Sequence, residues 1–354
     1  MAKKRVIVFF TELSDYILNV FEHWVEVSDV ELYIFRTPVN QNEAPFEFSL
    51  NNEAIYFFNR EAFDTDLLER KVKEIAPHMI LCAGWSDKGY LKSVAQFSGK
   101  IPTVLMFDNQ WFGTPKQYLA SLLSRFTLSK IFDYVWVPGE PQVAYARRLG
   151  FKRENIVTGF YVANRSNFDR DIVNPEGKFS KRFIFLGRYV AHKGIMDLWQ
   201  AFIELQDEEP NDWELWCIGT GSLMDERVEH SQIKHIGFVQ PKDLKAYIAE
   251  GGVFVLPSHF EAWGVAVHEF AYAGFPLLVS DAVGAGTQFV KEGSNGYLFQ
   301  HKNKTALKEK MKMFMALSEK ELKTMGNESY ALASLVTKES WVESITAILE
   351  ADSQ

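Results

Sequence analysis

Pro257-Ser-His-Phe-Glu261-Ala-Trp263-Gly264-Val265-Ala-Val-His268-Glu269-Phe-Ala-Tyr-Ala-Gly274-Phe-Pro276 follows directly on the apolar run Val-Phe-Val-Leu, 253–256. A short apolar run, a loop and a glycine-led helix make the repeating unit of a parallel α/β sheet. Gly264 lets the backbone turn into the helix, and Gly274 with Pro276 is the chemistry that ends one. The loop stands at the edge of the sheet where α/β folds bind ligands. N–H groups at the helix start, near Trp263, Gly264 and Val265, form a natural anion site. Glu261 lies in the loop and Glu269 within the first two helical turns. Carboxylates are poor phosphate ligands and good acceptors for sugar hydroxyls, so the stretch suits a ligand that carries both.

The matching positive charge comes earlier, in Phe183-Ile-Phe-Leu-Gly-Arg188-Tyr-Val-Ala-His-Lys193-Gly194. A buried strand and a Gly turn aim Arg188 and Lys193 at the same sheet edge, ahead of a helix beginning near Gly194. Arg188 suits bidentate contact with phosphate oxygens, and Lys193 acts as a point charge.

Outward from these two stretches, strands and amphipathic helices alternate along the whole chain. Strands are expected at 5–10, 30–35, 79–83, 103–107 and 134–137, then at 183–186, 214–218, 235–237, 253–256 and 276–279. Helices are expected at 64–75 and 115–126, and Trp341, Ile345 and Leu349 give helical spacing over 338–349. The polar segment 164–176, with turn chemistry at Asn174-Pro-Glu-Gly177, marks the linker. The expected division is an N-terminal Rossmann-like domain at 1–165, a C-terminal one at 166–335, and a final helix at 336–354 packing back toward the first. A length of 354 residues suits two domains, and 47% apolar with 24% charged residues is a globular balance.

The net charge of −8 lies wholly in the second half: residues 1–165 carry 19 basic and 19 acidic side chains, residues 166–354 carry 19 and 27. That argues against a nucleic-acid partner. Cys82 and Cys217 sit in strand-like apolar runs and read as buried thiols, which fits a reducing, cytoplasmic compartment. No second ligand stands at metal spacing from His192 or His268.

Arg188 with Lys193-Gly194, then Gly219-Thr-Gly221, then Gly237-Phe238-Val239, then Glu261 and Glu269 eight positions apart, resemble glycosyltransferase family 4 over about residues 160–300. The resemblance implies the GT-B fold, two Rossmann-like domains facing each other across a cleft. It implies a retaining, metal-independent hexosyl transfer, with a nucleoside-diphosphate sugar as co-substrate and no further cofactor. UDP is the expected nucleotide, and the acceptor a saccharide or lipid-linked saccharide in glycan or polysaccharide synthesis. Arg188 and Lys193 would stabilise the diphosphate, Glu269 the ribose hydroxyls and Glu261 the hydroxyls of the transferred sugar. The backbone of Gly237, Phe238 and Val239 would read the nucleobase. Gly219, Gly221, Trp263, Gly264 and Val265 would line the donor site. Rival readings are a nucleotide-binding scaffold without turnover and another two-Rossmann enzyme, such as a nucleotide-sugar epimerase or a phosphorylase. A dehydrogenase is disfavoured because Met224 stands where the third fingerprint glycine belongs.

The N-terminal half departs from the family pattern. Phe10-Thr-Glu-Leu-Ser-Asp15 follows the first strand, where members of the family usually carry a glycine-rich loop. Asp108, at the end of a mid-domain strand, is the candidate to accept a proton from the acceptor or to orient the sugar. The loop Ala83-Gly-Trp-Ser-Asp87 is a second candidate for the acceptor side. Residues 109–153 hold seven Lys/Arg against Asp133 and Glu140. Within them, 116–131 joins an apolar face to Lys116, Arg125 and Lys130. Such a helix suits either an ordinary core or weak contact with an anionic membrane surface, at the inner face of the membrane.

Overall fold

The computed structural model describes residues 3–37, 52–172 and 179–351. The expected turn at Asn174–Gly177 lies outside them. The chain divides into two compact units, Met1–Val162 with Thr337–Gln354, and Ala163–Val336.

Among the described residues the first unit holds seven parallel strands. They are β1 Lys4–Phe9, β2 Val30–Arg36, β3 Ile55–Asn59, β4 Met79–Ala83, β5 Thr103–Met106, β6 Tyr134–Trp136 and β7 Ile156–Val157, in the order β3-β2-β1-β4-β5-β6-β7. The inner strands are continuous apolar runs because a parallel sheet is covered on both faces. Val6, Ile7 and Val8 of β1 are fully buried between β2 and β4. The helix Lys338–Ala351 belongs to this unit. Its Trp341 sets its ring against Trp24, Phe21 and Trp136, and its indole N–H donates to the Phe160 carbonyl at 3.0 Å.

The second unit holds β8 Arg182–Leu186, β9 Glu214–Ile218, β10 Ile233–Gly237, β11 Val253–Leu256, β12 Leu277–Ser280 and β13 Gly296–Phe299, in the order β10-β9-β8-β11-β12-β13. Both sheets thus reverse their direction of winding once, between β1 and β4 and between β8 and β11. That reversal opens a crevice at the carboxyl ends of the strands. Two parallel Rossmann-like sheets of this order are the GT-B fold expected from the sequence.

Strands β3, β7 and β13 are not among those expected. All three are sheet edges, where one flank lacks a neighbour and the sequence need not be apolar throughout. On β3, Tyr56 and Phe57 are exposed, β7 is two residues long, and β13 opens on a glycine.

Candidate functional site

In Ala163–Val336 the winding reversal lies between β8 and β11, so the loops that follow these two strands share one crevice. The loop after β8 carries Arg188, His192 and Lys193; the loop after β11 is Pro257–Gly264. They meet at Gly194, which has φ of +67°. A Cβ there would lie 2.1 Å from the Pro257 carbonyl oxygen, so only glycine allows this approach. The His259 N–H then donates to the His192 carbonyl at 2.7 Å, and the His259 ring meets Asp197 of the next helix, Ile195–Glu208, at 2.7 Å.

This junction brings Lys193 and Glu261 into a direct, largely buried ion pair. Ser258 donates its hydroxyl to the same Glu261 carboxylate at 3.2 Å. The Glu261 backbone is held by the loop after β12: its N–H donates to Ala282, and its carbonyl accepts from Gly284. Removing two charges from water is costly unless geometry and further hydrogen bonds compensate, and here the serine and the paired backbone supply them. Desolvation, then the Lys193 ammonium, holds His192 below the ordinary imidazole value. Arg188 is exposed at the same loop.

The helix Val265–Tyr272 starts where the sequence places it, with Gly264 as its cap at φ +91° and Gly274 ending it at φ +72°. Glu269 stands half-buried on it. Trp263 is buried, edge-on to Phe289, and its carbonyl accepts from the Ala285 N–H at 2.8 Å. Its ring therefore packs inside the protein and does not form an exposed stacking platform. His268 is fully buried on the same helix. Its Nδ1 accepts from the Ala163 N–H at 3.2 Å, and its Nε2 is 3.1 Å from the Ala333 carbonyl. Desolvation pulls its pKa down to about 4, so the ring is neutral at pH 7.

Gly219 and Gly221 follow β9, and here the loops after β8 and β9 are zipped together. Tyr189 donates its N–H to the Thr220 carbonyl, and Leu223 donates to that of Tyr189, each at 2.9 Å. A Cβ on Gly219 would lie 1.9 Å from the Gly187 carbonyl oxygen, and one on Gly221 2.6 Å from that of Tyr189. Gly237 ends β10 with φ +84° and open space beside it, followed by half-buried Phe238 and Val239. Residues 187–194, 219–221, 237–239 and 257–264 all lie at the carboxyl ends of parallel strands of one sheet.

Asp108 lies in the other unit, after β5. Its carboxylate accepts from the Tyr161 phenol at 3.2 Å, and its carbonyl accepts from the Gln142 amide at 3.0 Å. Burial, with the charge of Asp108 further down the order of causes, raises the Tyr161 pKa, so the phenol stays a donor. Nothing in the sequence around Tyr161 signals this pairing. Asp87 is engaged structurally: it caps the helix Lys88–Ala95 through the Gly89 and Tyr90 N–H groups and takes a two-point contact from Arg60 at 2.7 and 3.0 Å. Burial raises the Cys82 thiol well above its ordinary value and pushes Cys217 up to about 12, so neither is a ready nucleophile. Among the described residues no group of three His, Cys, Asp or Glu is placed to hold a metal ion, and no helix is long and apolar enough to cross a membrane.

Fold and crevice together define a GT-B protein. Residues 167–331 match the family model "Glycosyl transferases group 1", in line with the resemblance that the sequence motifs carry. A 2-deoxystreptamine N-acetyl-D-glucosaminyltransferase of Niallia circulans is 29% identical over 119 residues, which are 31% of this chain and 30% of that protein. An alpha-monoglucosyldiacylglycerol synthase of Acholeplasma laidlawii is 31% identical over 134 residues, 35% and 32% of the two chains. The chain thus spans about a third of the length of these relatives. Among solved structures, a glycosyltransferase from Rickettsia africae superposes with a TM-score of 0.76 at 12% identity over 99% of both chains. An Anabaena protein in complex with UDP and glucose superposes with a TM-score of 0.71 at 14% identity, over 98% of this chain and 99% of that one.

Proposed function

We propose that the protein is a retaining hexosyltransferase that moves a sugar from a nucleoside-diphosphate sugar, with UDP as the nucleotide, to a saccharide or lipid-linked saccharide acceptor in glycan synthesis. The observation that carries this reading is the crevice between β8 and β11, where Lys193 and Glu261 are locked together beside exposed Arg188 and the glycine-led helix Val265–Tyr272. UDP is supported by the Anabaena structural neighbour, whose complex holds UDP and glucose. The two curated relatives name unlike products, one on 2-deoxystreptamine and one on a diacylglycerol, so they favour no single acceptor.

Breaking a glycosyl–phosphate bond builds positive charge on the sugar and negative charge on the departing diphosphate. Arg188, Lys193 and the N–H groups at the start of the helix Val265–Tyr272 would face that negative charge. They are already oriented, which is the largest ordinary source of rate enhancement. This supply of positive charge needs no metal ion. Lys193 and Glu261 satisfy one another; a donor would divide them, phosphate to the ammonium and sugar hydroxyls to the carboxylate. Ser258 would keep Glu261 oriented through that exchange. Glu269 would accept from the ribose hydroxyls, and residues 237–239 would present backbone to the base. Asp108, steadied by Tyr161, would orient the acceptor or take its proton.

The test is to incubate the full chain with UDP-hexoses and a panel of saccharide and lipid-linked acceptors, and to follow UDP release and the anomeric configuration of the product. Acceptor-dependent UDP release with retained configuration is the expected result. Binding without turnover would point to the scaffold reading. Conversion of one UDP-hexose into its epimer would replace the transferase reading by an epimerase.

A further inference from the structure

The helix Pro115–Ser124 and the turn that follows it are built inside out. Tyr118, Leu119, Leu122, Leu123 and Phe126 are 53–75% exposed, while the one buried residue of the helix is Ser124. At 100° per residue the five apolar side chains fall within an arc of about 140°, and Ala120, Ser121 and Ser124 lie opposite. An amphipathic helix of a globular domain shows the reverse arrangement. The helix does not depend on its apolar face for stability. Thr114 caps it in a reciprocal capping box with Gln117, Pro115 begins it, and the Ser124 hydroxyl ties it to the Leu149 carbonyl at 2.8 Å.

Phe112, 53% exposed, lies just ahead of the stripe. An exposed apolar patch of this size marks an interaction surface. Its charges indicate the partner. Projected on the helix, Arg125 falls about 20° outside one border of the stripe and Lys116 about 20° outside the other. Arg148 lies over the Trp111 ring at 4.4 Å, and Trp111 meets the Tyr118 ring edge-on at 4.9 Å, so a third cation joins the same rim. Arg147, Lys130 and Lys152 are exposed on the adjoining segments. The two acids in residues 109–153 are turned to other uses: Asp133 accepts from the N–H and hydroxyl of Thr103, and Glu140 stands 3.7 Å from Arg153.

We propose that this face is a docking surface for an anionic lipid bilayer. The apolar stripe would enter the headgroup–acyl boundary, and Lys116, Arg125 and Arg148 would reach the lipid phosphates around it. Apolar side chains bordered by long cationic ones are what an interfacial helix needs, because the methylene stems lie along the apolar layer while the charges stay at headgroup level. A second copy of the chain fits less well: antiparallel pairing of this helix with itself would bring Lys116 of one copy toward Arg125 of the other. The proposal stands whether or not the chain transfers sugar.

The test is co-sedimentation of the full chain with phosphatidylcholine vesicles, alone and with about a third phosphatidylglycerol. Two double variants accompany it, Leu122→Ser/Phe126→Ser and Lys116→Glu/Arg125→Glu. All four positions are exposed, so both variants should melt like the parent. Expected are binding to the anionic vesicles only, weakening with added salt, and a loss of about tenfold or more in either double variant. Absence of binding to anionic vesicles would overturn the proposal, as would equal binding by the parent and both variants. A parent dimer in sedimentation equilibrium that Leu122→Ser/Phe126→Ser dissociates, with no vesicle binding, would assign the face to self-association.

Discussion

The two units wind their strands in the same order and use the carboxyl ends of those strands differently. In Ala163–Val336 the loops after β8, β9 and β11 approach one another backbone to backbone at Gly194, Gly219 and Gly221, and the charged groups brought together there form a crevice. In the other unit the carboxylates near the strand ends are engaged within their own framework. Asp87 holds Arg60 and a helix start, and Asp108 is met by Tyr161. This unit also presents to solvent an apolar helix with a cationic border. One sheet topology thus supports a charged crevice in one copy and an oily surface in the other, and side chains at the loops and helices make the difference.

The largest test of this contrast is Arg188→Ala. Arg188 is exposed, so the variant should melt like the parent, while the transfer rate should fall by about 10²–10³, on the order of 3 kcal/mol. Steady-state kinetics on a responsive UDP-hexose checks this, and a rate within threefold of the parent would remove Arg188 from the reaction.

Acid should act almost as strongly, through His268. Its pKa is pulled from 6.5 to about 4 by burial, so the unfolded chain binds a proton before the folded one does. The stabilisation is complete above about pH 6.5 and is lost as pH falls toward 4, amounting to on the order of 3 kcal/mol for a shift of this size. Urea unfolding of the parent and of His268→Gln across that window should show the parent's dependence flattened in the variant. Parallel curves would mean that other groups carry the acid response.

A paired glycine substitution sharpens the comparison between units. Gly221→Ala places a Cβ 2.6 Å from a backbone carbonyl, whereas Gly84→Ala in the first unit meets nothing within 4 Å at φ +77°. The first should cost about 2–4 kcal/mol and the second about 1–2 kcal/mol, from backbone strain alone. Equal losses in urea unfolding would mean that the close approach of the β8 and β9 loops is not maintained in solution. The smallest expected effect is Tyr161→Phe, which removes one hydrogen bond to Asp108. Turnover should fall by about 1 kcal/mol or less, with nucleotide affinity unchanged.

The inner strands were legible because both their faces are buried: 79–83, 214–218 and 253–256 match β4, β9 and β11 residue for residue. Of the edge strands, β7 and β13 lack that pressure and left only short runs, whereas β3 does carry an apolar run at 55–58. At the crevice, glycine, lysine and carboxylate follow directly on apolar strands, so local spacing conveys their placement. The pairings of Arg60 with Asp87 and Asp108 with Tyr161 join residues 27 and 53 positions apart, with no periodic signal between them. The helix Pro115–Ser124 showed its apolar face in the sequence, but only the buried Ser124 and its bond to Leu149 show which way that face turns.

Isothermal titration calorimetry of UDP tests most directly whether the crevice between β8 and β11 holds the nucleotide. The full chain should bind one UDP, and Glu269→Ala, which removes the carboxylate proposed to accept from the ribose hydroxyls, should bind about ten- to a hundredfold more weakly. Unchanged UDP affinity in Glu269→Ala and in Arg188→Ala alike would place the nucleotide elsewhere and contradict the account.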